Sequence, residues 1–193
     1  MPQLWAIAGP NGSGKSTFTV KFIGDKIPVV NPDDIAREEG VGVVSAGRIT
    51  FARQQELLAK RESFAFETTL SGRHELRLME HAKELGYKVN LVFIALDNPA
   101  VSVGRIAQRV QEGGHNVPTQ DVLRRYQRSI DNLPKALAIA ERAYIFDNST
   151  DRRRLLLSLE RGKVKQIHRD LPDWAKPAIA PYREQARTRG LSR

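Results

Sequence analysis

The stretch that most constrains this chain is residues 9–17: Gly9, Pro10, Asn11, Gly12, Ser13, Gly14, Lys15, Ser16 and Thr17. It matches G-x-x-x-x-G-K-[ST] at every fixed position. A short apolar run from Leu4 to Ala8 precedes it and reads as a buried strand, and the residues up to about Gly24 suit a helix. In that context the motif has a mechanism. Glycines let the backbone turn its N–H groups inward as an anion nest. Lys15 sets a positive charge against the β- and γ-phosphates of a nucleoside triphosphate, and Ser16 offers a hydroxyl to magnesium. The helix that starts near Lys15 aims its dipole at the same phosphates. All nine residues are therefore expected to bind ATP or GTP with Mg2+. The bland alternative is a chance match to a short pattern, which the flanking strand and helix argue against.

Further along, strand-like and helix-like segments alternate. Residues 28–31, 63–68, 88–96 and 143–147 read as strands, with helical stretches at 33–39, 46–61, 73–85, 99–111, 120–133 and 135–142. Such alternation predicts right-handed crossovers and a parallel sheet covered on both faces. After residue 147 it stops. Residues 155–160 and 164–168 flank Arg161-Gly162-Lys163 and read as a β-hairpin, or the first arm as a helix. Prolines at 172, 177 and 181 limit any later helices to short ones. The expectation is an α/β domain over 1–150 with five mainly parallel strands, and a basic extension over 151–193 packed on it as a hairpin plus short helices.

Composition narrows the class. A chain of 193 residues with 40% hydrophobic content supports one substantial core. There is no cysteine, so neither a disulfide framework nor a thiolate site is available. The longest strongly apolar run, Leu91 to Leu96, falls far short of the ~20 residues that span a bilayer. No secretory leader pattern is visible at the start, so a cytoplasmic location without membrane contact is expected. The net charge of +9 is uneven: residues 151–193 hold 12 Lys and Arg against 5 Asp and Glu, which leaves the first 150 residues nearly neutral. That basic extension is either a solvated surface or a site for an anionic partner such as nucleic acid, the former being preferred.

A phosphate cradle does not name a reaction. Phosphoryl transfer also needs a group to take the acceptor's proton and cations to balance the moving charge. In sheets of this kind ligands sit beyond the carboxyl ends of the strands. Asp33 and Asp34 follow the second strand, and either one there is a candidate base or acceptor contact, Asp33 being favoured. The plain alternative is helix capping, expected of one of the two. Glu67 ends an apolar strand and needs a partner: magnesium, a substrate, the P-loop hydroxyl or an internal ion pair. Thr68 and Thr69 either contact substrate or cap the turn. Asp97 is expected to shape the Asn98-Pro99 turn.

Arg105 and Arg109 stand i, i+4 on one helix, just before the loop Gly113-Gly114-His115-Asn116. Arg124, Arg125 and Arg128 share a face of the next helix opposite Val122, Tyr126 and Ile130. Arginines around a closing loop neutralise transferring phosphate, although each of them taken alone is as well explained by solvent or a surface ion pair. His115 is a lid residue with or without acid–base duty. Four scattered histidines give no metal-ligand spacing.

Taken together, AGPNGSGKST at 8–17, NPDD at 31–34, ETTLSG at 67–72, RVQEGGHNVPTQDVLRRYQRSIDNL at 109–133 and FDNS at 146–149 make the chain resemble the zeta-toxin-like P-loop kinases. The resemblance implies the nucleoside-monophosphate-kinase branch of P-loop folds, a three-layer sandwich with a helical lid. It implies ATP and Mg2+ as cofactors and UDP-N-acetylglucosamine, phosphorylated on a hydroxyl, as the acceptor. By position, Lys15 and Ser16 hold phosphate and metal, Asp33 acts as base, Glu67 serves the substrate or the magnesium site, and Arg109 stabilises phosphate from the lid. Arg124 or Arg125 would stand in for the family's second lid arginine, since His115-Asn116 occupies that region here. As a partner, the resemblance implies an antitoxin protein. Catalytic duty is thus expected of Lys15, Asp33 and Arg109, acceptor contact of Asp33, Asp34, Glu67, Thr68, Arg105, His115, Arg124 and Arg125, and metal binding of Ser16 and Glu67. Two alternatives remain from the residues alone: a nucleic-acid 5′-hydroxyl kinase that uses the basic extension, and a nucleotide switch that binds without transfer.

Overall fold

The computed structural model describes residues 1–111 and 118–187, with the side chains of 107–111 outside that description. The chain runs β1 (Gln3–Ala8), α1 (Lys15–Phe22), β2 (Val29–Val30), α2 (Pro32–Glu38), α3 (Val43–Ala59), β3 (Phe64–Thr68), α4 (His74–Glu84), β4 (Lys88–Ala95), α5 (Pro99–Gln111), α6 (Thr119–Ile139), β5 (Arg142–Asp147), β6 (Arg154–Glu160), β7 (Lys163–Ile167) and α7 (Lys176–Arg187). The strands form one sheet in the order β2-β3-β1-β4-β5-β6-β7. Its first five strands are parallel, and β6 and β7 are added antiparallel. The fold is therefore the expected α/β sandwich, but with seven strands rather than five. The hairpin around Arg161-Gly162 pairs with β5, because β5 would otherwise leave an open row of backbone donors and acceptors at the sheet edge.

Both faces of the central strands are covered, which is why β4 is apolar almost throughout. On one face Leu4, Phe64, Phe66, Leu91, Phe93 and Ile145 form the main core, with α4 and α6 packed against β4. On the other, Ile7, Ala65, Val92 and Ile94 pack with Phe18 and Ile23 from α1 and its end. The new edge strand β7 exposes Lys163, Lys165 and Gln166, and its Val164 N–H donates to Gln185 Oε1 of α7 at 2.9 Å. Charge and a capped donor protect that edge against pairing with another chain.

One expectation fails at Pro134. The sequence pattern predicts two helices, at 120–133 and 135–142, yet α6 is a single helix of 21 residues with Pro134 inside it. Proline removes one helical hydrogen bond. Burial of Ile130, Leu133, Ala136 and Leu137 on the sheet holds the backbone through that gap. Helix capping also differs from expectation. Asn31, not an aspartate, caps α2: its Oδ1 accepts from Asp33 N at 3.0 Å.

Helix α6 is tied to the site end of β4 by Tyr126, whose hydroxyl donates to Leu96 O at 2.6 Å. Burial first, then the negative charges of Asp97 and Asp147, push this phenol up to about 12. The folded value lies above the unfolded one of about 10. Its contribution is therefore complete below about pH 10 and is lost as pH rises toward 12. In Tyr126→Phe we expect stability at pH 7 to fall by about 1 kcal/mol, with a shallower loss from pH 10 to 12, measured by urea unfolding across pH.

Candidate active site

The P-loop leaves β1 at the middle of the sheet, between β3 and β4. Gly9 N–H donates to Thr68 O at 3.2 Å. On the other side there is no room for a side chain: a Cβ at Gly9 would lie 1.9 Å from the Ile94 carbonyl oxygen, and the φ of 138° is one that residues with a Cβ avoid. Gly12 and Gly14 also have positive φ, at 69° and 96°. With them the loop curls so that α1 opens at Lys15. Lys15 Nζ donates to Gly9 O and Pro10 O, each at 2.9 Å, which places the ammonium across the mouth of the loop. Asn148, just past β5, braces the loop from outside, its Nδ2 donating to Ser13 O at 2.9 Å.

A cleft of about 850 Å³ opens from this loop. Gly12, Gly14, Lys15, Ser16 and Thr17 of the P-loop line one side, and Asp33, Glu67, Thr68 and Thr69 line it beyond the loop. The link between the two is Ser16, whose Oγ donates to Glu67 Oε2 at 2.9 Å. Parallel pairing of β1 with β3 sets Ile7 opposite Glu67, so the carboxylate leaves the sheet beside the P-loop. The partner that Glu67 required is thus the P-loop hydroxyl. A hydroxyl and a carboxylate, both oxygen donors at the phosphate mouth, suit Mg2+, which takes few protein ligands and completes its shell with water and phosphate. Among the described residues no group of three or more His, Asp and Glu side chains forms a denser metal site.

The two aspartates separate. Asp34 is paired with Arg37 at 2.9 Å and faces a neighbouring groove. Asp33 faces the cleft, and its carboxylate makes no hydrogen bond or ion pair among the described residues. The arginines separate as well. Arg125 lines the cleft, whereas Arg124 pairs with Asp121 at 2.8 Å on the exposed side of α6. Arg105 lines the cleft beside Gly12, and its Nη2 donates to Asn148 O at 3.2 Å. His115 and the side chain of Arg109 fall outside the described residues. Thr68 is engaged internally, donating to Glu75 Oε1 at 3.0 Å and accepting from Leu70 N.

Several lining residues carry no signal in the sequence. Gln54 of α3, 3% exposed, meets His74 at 3.3 Å on the cleft wall, with Thr50 and Glu75 also lining that cleft. A polar residue inside a helical stretch gives no hint that it faces a cleft. His74 is one of four scattered histidines along the chain, and Asn148 lies in the FDNS segment with no local feature that points to the P-loop.

A family model described as Zeta toxin matches residues 43–170. The chain belongs to the Zeta toxin family. The match begins after the P-loop, whose motif stands on its own, and it runs through β6 and β7, beyond residue 150. An uncharacterized protein of Haemophilus influenzae is 33% identical over 137 residues, covering 64% of this chain and 97% of that relative. The fold is similar to a chain in the crystal structure of AvrRxo1-ORF1:-ORF2 with ATP, at a TM-score of 0.70 and 19% identity over 94% of this chain. This chain spans 64% of the length of that one. It is also similar to a chain of the PezAT chromosomal toxin–antitoxin system of Streptococcus pneumoniae, at a TM-score of 0.60 and 19% identity, covering 97% of this chain and 87% of that one. The architecture is that of a P-loop kinase. No helix among the described residues is long and apolar enough to cross a membrane.

Gly9→Ala should be far more damaging than a typical glycine change, because the obstacle is sheet backbone rather than a movable side chain. We expect a loss of more than about 4 kcal/mol or failure to fold, measured by urea unfolding. Gly104→Ala, at a helical position with nothing within 4 Å of the added Cβ, is the control and should be neutral or slightly stabilising.

Proposed function

We propose that this chain is an ATP-dependent phosphotransferase whose acceptor is a hydroxyl of a small metabolite, a UDP-amino sugar. The observation that carries this reading is Asp33. Its carboxylate lies in the P-loop cleft without a partner among the described residues, while its neighbour Asp34 is taken up by Arg37. A nucleotide binder has no need of a free carboxylate facing its phosphate site. A kinase needs one to orient the acceptor hydroxyl and take its proton.

In this mechanism the P-loop amides and Lys15 hold the β- and γ-phosphates. The acceptor oxygen attacks the γ-phosphorus as its proton passes to Asp33. The bond from the γ-phosphorus to the bridging oxygen breaks, and ADP leaves. Arg125 faces the transferring group from α6 and offsets its charge. Ser16 and Glu67 would hold the magnesium ion, which supplies charge neutralisation at the phosphates. Arg105 and Asn148 serve the nucleotide end. Arg109 and His115 are proposed to act from the lid, as the family resemblance implies. The reaction is assigned to the cytoplasm, where ATP is available.

PezAT is a toxin–antitoxin system, and an antitoxin protein is proposed as a partner of this chain on that likeness alone. Nucleic acid is a weaker candidate. Several cations of the extension are already engaged: Arg154 with Asp147, Arg161 with Glu141, Lys165 with Glu160, and Arg153 over Phe18 and Phe146.

The test compares two neighbouring residues. Purified protein is incubated with labelled ATP, Mg2+ and UDP-N-acetylglucosamine, then with a metabolite extract. Asp33→Asn should lower transfer by about 10² to 10⁴-fold with nucleotide affinity kept. Asp34→Asn should lower it by less than about tenfold, because it removes only an exposed ion pair. Equal effects of the two, or no labelled small molecule from the wild type, would sink the kinase reading and leave a nucleotide switch.

A further inference from the structure

Leu70 is fully buried and has a φ of 56°. Arg61 and Arg161 share that sign, but both are exposed at turns. A buried residue with a Cβ keeps a left-handed backbone only where its surroundings over-determine it, and such strain gathers at functional sites. The surroundings of Leu70 do this from two sides. Its N–H donates to Thr68 Oγ1 at 2.9 Å, and that hydroxyl donates onward to Glu75 Oε1 at 3.0 Å. From the opposite side Asn132, on α6, sends Nδ2 to Leu70 O at 3.0 Å and to Gly72 O at 3.4 Å. The turn so held carries Thr69 and follows directly on Glu67 of β3; both line the cleft, and Glu67 reaches Ser16 of the P-loop.

Asn132 itself does not line that cleft. It stands seven residues after Arg125, which does. Seven residues are close to two helical turns, or about 10 Å along the axis, so both side chains leave the same face of α6. One rigid helix therefore carries a cation for the transferring phosphate and a double donor for the acceptor-side turn.

The geometry points to Asn132 as a positioning residue, which registers α6 and its Arg125 against the 69–72 turn. It acts by fixing the separation between the phosphate-facing cation and the groups at the β3 exit. A displaced turn moves Thr69 relative to Arg125, while Glu67 and Thr68 stay tied to the P-loop by the pairing of β1 with β3 and by the Gly9 N–H bond to Thr68 O. Only the catalytic arm of the test rests on the kinase reading.

Asn132→Asp keeps the side-chain shape and removes both donors. Asn132→Ala covers the case in which the new carboxylate impairs folding. By hydrogen exchange of the full chain, amides at 69–72, Leu70 above all, should exchange on the order of tenfold faster, with protection in β1, β3 and β4 kept. Affinity for Mg·ADP, by titration calorimetry, should stay within about twofold. With ATP and UDP-N-acetylglucosamine as probes, KM for the acceptor should rise on the order of tenfold with KM for ATP unchanged. Combined with Arg125→Ala, the loss in kcat/KM should be smaller than the product of the single losses. Unchanged exchange at 69–72 in both variants overturns the proposal, as does a parallel loss of ADP affinity or strictly multiplicative effects with Arg125→Ala. If the wild type does not phosphorylate this acceptor, the acceptor assignment fails, and the exchange and ADP measurements still decide the role of Asn132.

Discussion

The structure depends on a backbone contact with no side chain in it. Gly9 passes between the ends of β3 and β4 so closely that its own α-hydrogen is all the Ile94 carbonyl leaves room for, while its N–H holds Thr68 O. This contact seats the phosphate loop at the centre of the sheet rather than above it. The rest of the cleft follows from the strand order. With β1 flanked by β3 and β4, the exit of β3 delivers Glu67 to Ser16, and the exit of β4 delivers Leu96 to Tyr126 of α6.

The cleft has two walls of different character. The phosphate wall is mostly backbone, shaped by glycine conformations and steadied by Asn148 from the end of β5. The facing wall is mostly side chains contributed by α2, α3, β3, α4 and α6. Backbone donors suit a ligand common to many proteins, the phosphate chain. Side chains are the variable means by which one acceptor is chosen over another. On this wall buried Gln54 meets the exposed His74, with Thr50 on the same cleft.

The seven-stranded sheet changes the meaning of the basic extension. Its hairpin completes the sheet beside β5, and its cations are drawn into pairs with Asp147, Glu141 and Glu160 or stacked on aromatic rings. A charge excess that is conspicuous along the chain is partly consumed within the fold. The family match through residue 170 agrees with a hairpin that belongs to the same structural unit as the strands before it.

By itself the sequence determined the phosphate loop, the alternation of strands and helices, and the presence of acids at strand exits. Those are local properties: a glycine pattern, a hydrophobic period, a charge after an apolar run. Which acid faces the cleft was not local. Asp33 and Asp34 are neighbours with the same chemistry, and only the turn of α2 and the position of Arg37 divide them. Arg124 and Arg125 are divided in the same way by Asp121 and the rotation of α6. Continuation of α6 through Pro134 was also a tertiary decision, because burial against the sheet outweighs the local preference for a break. Gln54, His74, Asn148 and Asn132 meet partners 20 to 135 residues away in the chain, so their placement exists only once the sheet has brought those segments together.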